Sequence, residues 1–158
     1  MKKIILLLSF VILFFAFNFS FAQISETSMK DITETVNDKI KSLEDVEDME
    51  VVNVTIDLLV GTQGEKYVYR YLDNSFDYKI LVLGDRRIGK MSVVVRKKNE
   101  ETNKWILVDK AKGETATLDL YPDSRAFYEF TMSIAEFKED YTAGHFAILI
   151  YHHDPLKK

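Results

Sequence analysis

Carboxylates form the densest group of side chains that could perform chemistry in this 158-residue chain. Glu136, Glu139 and Asp140 lie within residues 136–144, the longest polar stretch and a predicted loop. Two carboxylates at a suitable separation can hydrolyse a glycosidic bond, and three can hold calcium. Their spacing matches no calcium-loop signature, so we interpret them as a charged, solvated loop. A small secreted hydrolase that uses them is the alternative.

Histidines are the next candidates, because His152, His153 and Asp154 are consecutive. Adjacent residues on a strand point to opposite faces, so the two imidazoles would not converge on one metal ion. The chain contains no cysteine, which removes thiol nucleophiles and cysteine-bound zinc. It also lacks a nucleophile elbow, a phosphate loop and a histidine-pair metal motif. We therefore expect a protein that is not an enzyme, with no metal site and no cofactor.

Basic side chains are concentrated on one predicted turn and at the end of the strand that follows it. They are Arg86, Arg87, Lys90, Arg96, Lys97 and Lys98. Such a group could bind an anionic glycan, a lipid headgroup or a phosphate. Glu100 and Glu101 follow closely, and charge runs are usually solvated faces. We favour the solvated face and keep the binding site as a hypothesis.

Aromatic residues offer a second binding hypothesis. Tyr67, Tyr69 and Tyr71 alternate along one predicted strand and so share a face, and Trp105 is the only tryptophan. Aromatic rings suit the apolar faces of sugars, which makes a sugar-stacking platform conceivable. The same periodicity is more typical of a core, and we favour the core. The candidate ligand-binding residues are thus Tyr67, Tyr69, Trp105, Arg86, Arg87, Lys90, Arg96 and Lys97.

The elements that position these residues are mostly strands, because apolar side chains recur with a period of two from Val51 onward. The first strand is predicted to place Val52, Val54, Ile56 and Leu58 on its apolar face. Eight such segments are separated by short polar turns, and no helix connects them. The pattern predicts a mainly β fold: an antiparallel eight-stranded β-sandwich, jelly-roll-like, over residues 51–158.

One amphipathic helix is predicted before the strands, within residues 23–50. Apolar residues recur there at steps of three and four, from Met29 to Met49. Thr27 or Ser28 is expected to cap the start of this helix. Acidic residues crowd its last turn, where negative charge is unfavourable, so the helix is expected to end early. We expect its apolar stripe to pack on the sandwich.

The N-terminus has the layout of a secretory signal. Lys2 and Lys3 precede the uncharged apolar run 4–17, and Ser20-Phe21-Ala22 offers small residues to a signal peptidase. We predict a signal peptide over residues 1–22, export to the periplasm or medium, and no transmembrane segment after cleavage. The net charge of −4 makes the chain a poor candidate for nucleic-acid binding.

The order of these features resembles the bacterial pre-peptidase C-terminal domain over roughly residues 65–152. The resemblance rests on residues 78–85 (YKILVLGD), the strand 91–95 and the Trp105 strand, with residues 124–130 and 144–150 in the places of later strands. It implies a small exported β-sandwich with an accessory role beside secreted hydrolases, and no activity. The acidic stretch of that family is basic here, from Asp85 to Lys90, which argues against a calcium site in that turn.

Together these features predict an exported, non-enzymatic accessory or ligand-binding module of the cell envelope. Its expected partner is an anionic glycan, another envelope component or a protein. Besides the hydrolase, a protein-interaction subunit or inhibitor remains an alternative, with the helix or a sheet edge as the contact.

Overall fold

The computed structural model describes residues 28–156, so the predicted signal peptide lies outside the described residues. Within them the chain forms one helix and eight strands. In order these are α1 (Lys30–Asp45), β1 (Met49–Val60), β2 (Glu65–Leu72), β3 (Tyr78–Gly84), β4 (Ile88–Asn99), β5 (Lys104–Gly113), β6 (Thr115–Leu120), β7 (Ala126–Phe137) and β8 (Ala143–His153).

The strands form two antiparallel sheets of four strands each. Sheet A has the order β1-β8-β3-β6 and sheet B the order β2-β7-β4-β5. The prediction of a mainly β, eight-stranded antiparallel sandwich with one N-terminal helix is confirmed. No helix within residues 28–156 is both long and apolar enough to span a membrane.

The main core lies between the two sheets and is built by alternate residues of the central strands. Phe130 and Met132 of β7 face Phe146 and Ile148 of β8 in one buried cluster. Alternate residues of a strand share one face, which is why every second side chain of β7 and β8 enters this cluster. Strand β8 is buried on both faces, because its other side chains lie beneath α1.

The helix packs on the outer face of sheet A, as expected. Ile32, Val36 and Leu43 are buried against a second cluster that includes Leu81 and Leu149. Burying this stripe against the sheet stabilises the helix more than its sequence propensity would alone.

Both predicted ends of the helix need correction. The N-cap is Met29 rather than Ser28, although the Ser28 hydroxyl accepts a hydrogen bond from the Lys30 N–H at 3.1 Å. The helix ends at Asp45, as the acidic last turn suggested, and Val46 is exposed. Met49 belongs to β1, because Asp48 adopts a left-handed backbone (φ 53°) that turns the chain out of the helix.

The orientation of β1 differs from the prediction. A bulge beside Val52 shifts the register, and Val52 and Val54 are largely exposed. The inward face of β1 instead carries Asn53, Thr55 and Asp57, which pair directly with core residues of β8. An apolar alternation alone could not reveal this, because a bulge reverses which residues face inward.

Polar contacts close the side of the sandwich where these residues lie. Lys66 of β2 places its Nζ 2.9 Å from Oδ2 of Asp57 across the gap between the sheets. The Arg70 guanidinium meets the side-chain amide of Asn53 in the same gap. The edge strands β1 and β2 are therefore joined by polar bridges.

The β3–β4 turn is held by close packing of one isoleucine between two glycines. A Cβ added to Gly84 would lie 2.5 Å from Cβ of Ile88, and one added to Gly144 would lie 2.7 Å from Cγ1 of the same residue. Contacts this short do not occur between real side chains, so both positions require glycine while isoleucine stands at 88.

Candidate ligand-binding face

Five aromatic side chains lie on the outer, solvent-facing side of sheet B. We call this set the aromatic face, and it comprises Tyr67, Tyr69 and Tyr71 of β2, Trp105 of β5 and Phe127 of β7. Trp105 is 37% exposed and the other four are 48–54% exposed. The prediction that the tyrosine row belongs to the core is therefore wrong.

The reason is the position of β2 in the sandwich. Its period of two is as expected, but Val68 and Leu72 of the alternate set supply the core. The tyrosines consequently face outward. Periodicity separates the two faces of a strand without stating which one is inside.

The rings form two contacting pairs. Tyr71 lies directly opposite Phe127, and their rings meet edge to face with centroids 5.1 Å apart. Tyr69 and Trp105 stand on the two outermost strands of sheet B, yet their centroids are 5.7 Å apart and tilted by 41°. These two side chains must therefore reach towards each other across β7 and β4.

A charged pair lies beneath the second pair of rings. The strand register aligns Tyr69, Glu129 and Arg96 in one row across the sheet. Arg96 Nη1 donates to Glu129 Oε1 and to the Thr131 hydroxyl, each at 2.9 Å, and Glu129 is buried. The aromatic face thus surrounds a partly dehydrated ion pair, where hydrogen bonds are stronger than in water.

The phenol groups stay protonated at neutral pH. The Glu65 carboxylate, which accepts a hydrogen bond from the Tyr67 hydroxyl, raises the pKa of Tyr67. Burial, and then the Glu129 carboxylate, raise the pKa of Tyr69. Each hydroxyl is therefore protonated and bonded to a carboxylate, and its oxygen can still accept a hydrogen bond over the face.

The predicted basic residues do not converge on one patch. Arg87 is buried and clamps the Asp85 carboxylate, with its Nε 2.9 Å from Oδ2. Arg86 pairs with Asp31 of the helix at 3.3 Å. Lys97 lies near the far end of β4, roughly 30 Å from Arg87 at about 3.3 Å per strand residue.

The remaining predicted cations are also paired with carboxylates. Lys90 donates to Glu136, and Lys97 donates to Asp123. The basic residues are therefore close together in the sequence but not in space, because the two ends of the long strand β4 lie far apart. Of the predicted basic set, Arg96 and Lys98 lie on the outer surface of sheet B beside the aromatic face.

The prediction that residues 136–144 form one loop needs correction, because Glu136 lies on β7 and only residues 138–142 connect β7 to β8. The three carboxylates do not resemble an acid–base pair. Hydrogen bonding from Lys90 lowers the pKa of Glu136, whereas a general acid needs a raised one. Glu139 and Asp140 are exposed at the loop tip. Within residues 28–156 no three histidines, aspartates or glutamates are grouped so as to hold a metal ion.

The C-terminal histidines diverge, as the strand geometry predicts. His152 is buried and stacks on Phe76 with ring centroids 4.2 Å apart, while His153 is exposed. The Nδ1 atom of His152 donates to the His153 carbonyl oxygen at 2.8 Å. This imidazole is therefore held by packing rather than directed towards a ligand.

Two members of the site were not among the sequence candidates. Phe127 and Glu129 lie on β7, on the face opposite its buried residues. The sequence did indicate Phe127, because it is an aromatic residue on the face of β7 that does not contribute to the core.

Comparison with known proteins gives the fold and no family. No family model matches the sequence, and no curated protein matches it either. Among solved structures, the surface-associated copper-binding protein CorA of Methylomicrobium album BG8 is similar, with a TM-score of 0.50 and 6% identity, over 61% of this chain and 92% of that chain.

Two further solved structures have lower TM-scores. The pre-peptidase C-terminal domain of a Bacillus anthracis collagenase gives 0.44 at 15% identity, over 62% of this chain and 87% of that chain. The periplasmic lysozyme inhibitor PliG of Aeromonas hydrophila gives 0.42 at 5% identity, over 63% and 84%. The family that the sequence weakly resembles is thus found again among solved structures, and at these identities the likeness is one of fold alone.

Proposed function

We propose that this chain is an exported, non-enzymatic β-sandwich that binds a glycan on its aromatic face. The observation that carries the proposal is the set of five exposed rings on the same face as the partly buried Arg96–Glu129 pair. A contiguous exposed aromatic surface costs solubility, and on a folded domain it marks a binding site. The signal-like N-terminus supports export.

The chemistry of the face suits a sugar. Aromatic rings cover the apolar C–H surface of a pyranose, while flanking polar groups fix its hydroxyls. Here the Tyr67 and Tyr69 hydroxyls, the Arg96 guanidinium and the Glu129 carboxylate provide donors and acceptors beside the rings.

Lysines on the β5 side of the face favour a glycan that carries acidic groups. The register places Lys98 opposite Trp105, and Lys110 opposite Val94, on the same outer surface as the rings. The Arg96 charge is already matched by Glu129, so these lysines provide the excess positive charge there. An anionic polysaccharide of the cell envelope fits both the rings and this charge.

The test is a glycan array with neutral and anionic oligosaccharides, run on residues 23–158 at low and high salt. Tyr69→Ala and Trp105→Ala are expected to weaken binding by about tenfold or more, because each removes a ring that stacks on the ligand. Tyr121→Ala is the matched control, since Tyr121 is 67% exposed and follows β6, an edge strand of sheet A rather than sheet B.

Three outcomes decide the proposal. Binding that Tyr69→Ala removes and Tyr121→Ala preserves supports it, and salt-sensitive binding supports an anionic ligand. The absence of binding to every glycan at both salt concentrations contradicts the proposal. Turnover on a panel of hydrolase substrates that is lost in Glu139→Gln or Asp140→Asn contradicts the non-enzymatic part.

A further inference from the structure

Strand β5 presents an unusually apolar free edge. Trp105, Ile106, Leu107 and Val108 are consecutive, and each is 37–57% exposed. Strand β5 is the last strand of sheet B, and no strand among residues 28–156 pairs with its outer edge. A free edge with exposed apolar side chains is a template for pairing with another strand.

The other three edges are protected along their length, whereas β5 carries inward charges, Lys104 and Asp109, and a bulge only at the ends of its apolar segment. Strand β6 is only six residues long. Strands β1 and β2 place polar or charged residues towards the interior at their edges, a known defence against edge pairing. Those residues are Asn53, Thr55, Asp57, Lys66 and Arg70. Residues 105–108 therefore form the exposed edge segment best suited to pairing.

The β5 segment is complementary to a second copy of itself. In an antiparallel pair with its two-fold axis at Ile106, Trp105 of one copy lies opposite Leu107 of the other. Trp105 pairs with Lys98 of β4 and Leu107 pairs with Arg96. Both β4 residues lie on the outer face, so both β5 side chains lie there too. Apolar residues thus meet apolar residues on the same face.

The charges flanking this segment also match. Lys104 and Asp109 both lie on the inner side of β5, and Val108 between them is the extra residue of a bulge. With the axis at Ile106, Lys104 of one copy faces the Val108–Asp109 bulge of the other. Neither Lys104 nor Asp109 forms an ion pair within the described residues. Two symmetric ion pairs would therefore flank the apolar centre.

We propose that two copies of this chain pair along β5 to form a two-fold dimer with one continuous eight-stranded sheet. The two-fold axis is perpendicular to the sheet, so both aromatic faces lie on the same side. The two Trp105 rings flank the junction. Given the proposed function, the dimer is a bivalent binder whose two faces engage one polysaccharide with increased avidity.

Sedimentation equilibrium of residues 23–158 without any ligand tests the dimer. The mass of two copies is expected, shifting towards one copy on dilution. Ile106→Lys is expected to give a folded monomer, because it places two like charges at the axis. Val60→Lys is the matched control: Val60 is 53% exposed, Ile106 is 51% exposed, and Val60 lies on another edge strand.

A charge exchange tests the register itself. Lys104→Asp and Asp109→Lys are each expected to weaken dimerisation by about tenfold or more, since each variant opposes like charges at two symmetric positions. The double variant restores the opposite-charge pairs and is expected to regain the dimer. Circular dichroism of each variant checks that the fold is intact.

A single-copy mass at every concentration overturns the proposal, and so does a dimer that survives Ile106→Lys. A dimer lost in both single charge variants and not regained in the double variant overturns the proposed register. These readings use no glycan, so they are independent of the binding test. If the dimer is stable and no glycan binds, the proposed function is wrong and the proposed dimer is supported.

Discussion

Asp85 shows how a single residue changes the interpretation of a sequence motif. Its Oδ2 accepts hydrogen bonds from Arg87 Nε at 2.9 Å and from the His145 N–H at 2.8 Å. Arg87 Nη2 also lies 3.0 Å from Nδ1 of His145. A guanidinium can only donate, so Nδ1 is the acceptor in this contact. The arginine considered for ligand binding instead joins β3, the turn and β8.

This clamp predicts an acid-sensitive contribution to stability. Burial alone would raise the pKa of Asp85, but hydrogen bonds from Arg87 and the His145 backbone outweigh it and hold the pKa below its usual value. The stabilisation is therefore complete above the unfolded-state pKa of about 4 and is lost as the pH falls through the lower folded value.

Asp85→Asn is accordingly expected to lower the free energy of unfolding by about 3 kcal/mol at pH 7, because Arg87 stays buried without its counter-ion. The difference from wild type should shrink towards pH 3. Urea unfolding at both pH values measures it. Asp140→Asn, in the exposed loop, should stay within about 0.5 kcal/mol of wild type. An equal loss at both pH values would contradict the linkage.

At the scale of elements, the sequence predicts existence and type well and orientation less well. The eight strands and the helix occur in the expected order, because periods of 2 and 3.6 are strong signals. The outward orientation of the three tyrosines of β2 and the bulge of β1 were not predicted. Both strands lie at sheet edges, where only the opposing sheet decides which side chains are enclosed.

The helix offers a direct test of packing. Leu43 is fully buried between α1 and sheet A. Leu43→Ala is expected to cost about 2–4 kcal/mol of unfolding free energy, since it leaves a cavity under the helix. Val46→Ala, one turn on and 77% exposed, should cost less than about 0.5 kcal/mol. If Leu43→Ala costs as little unfolding free energy as Val46→Ala, the packing of α1 does not contribute to the stability of the sandwich.

At the scale of the whole molecule, the chain has three layers: the helix, sheet A and sheet B. The sequence indicates the sandwich and the packing helix, and the family resemblance agrees with that fold. Four of the five rings of the aromatic face were named from the sequence as a hypothetical sugar-stacking platform. Their convergence with Phe127 and with the ion pair between β4 and β7 could not be predicted. A site of this kind can be recognised only once the strand order is known.

Removal of the helix tests whether the layers fold as one unit. A chain that begins at Asp48 would expose Leu81, Leu83 and Leu149, which α1 covers. We expect it to aggregate or to melt well below the chain 23–158, because a large apolar surface returns to water. Thermal melts and light scattering measure this. A monomeric fragment with an unchanged melting temperature would show that residues 51–158 are an independent domain.

The isoleucine between two glycines in the β3–β4 turn has a consequence for the descent of this protein. Gly84 and Gly144 are far apart in sequence, yet the same side chain at 88 fills the space beside each. Gly84 faces the Cβ of Ile88, which every residue except glycine carries, so a side chain at 84 is excluded while 88 holds any residue other than glycine. Gly144 faces Cγ1 and Cδ1 of Ile88, so it can acquire a side chain once residue 88 is shortened. Related sequences should therefore keep glycine at 84 and show positions 88 and 144 changing together.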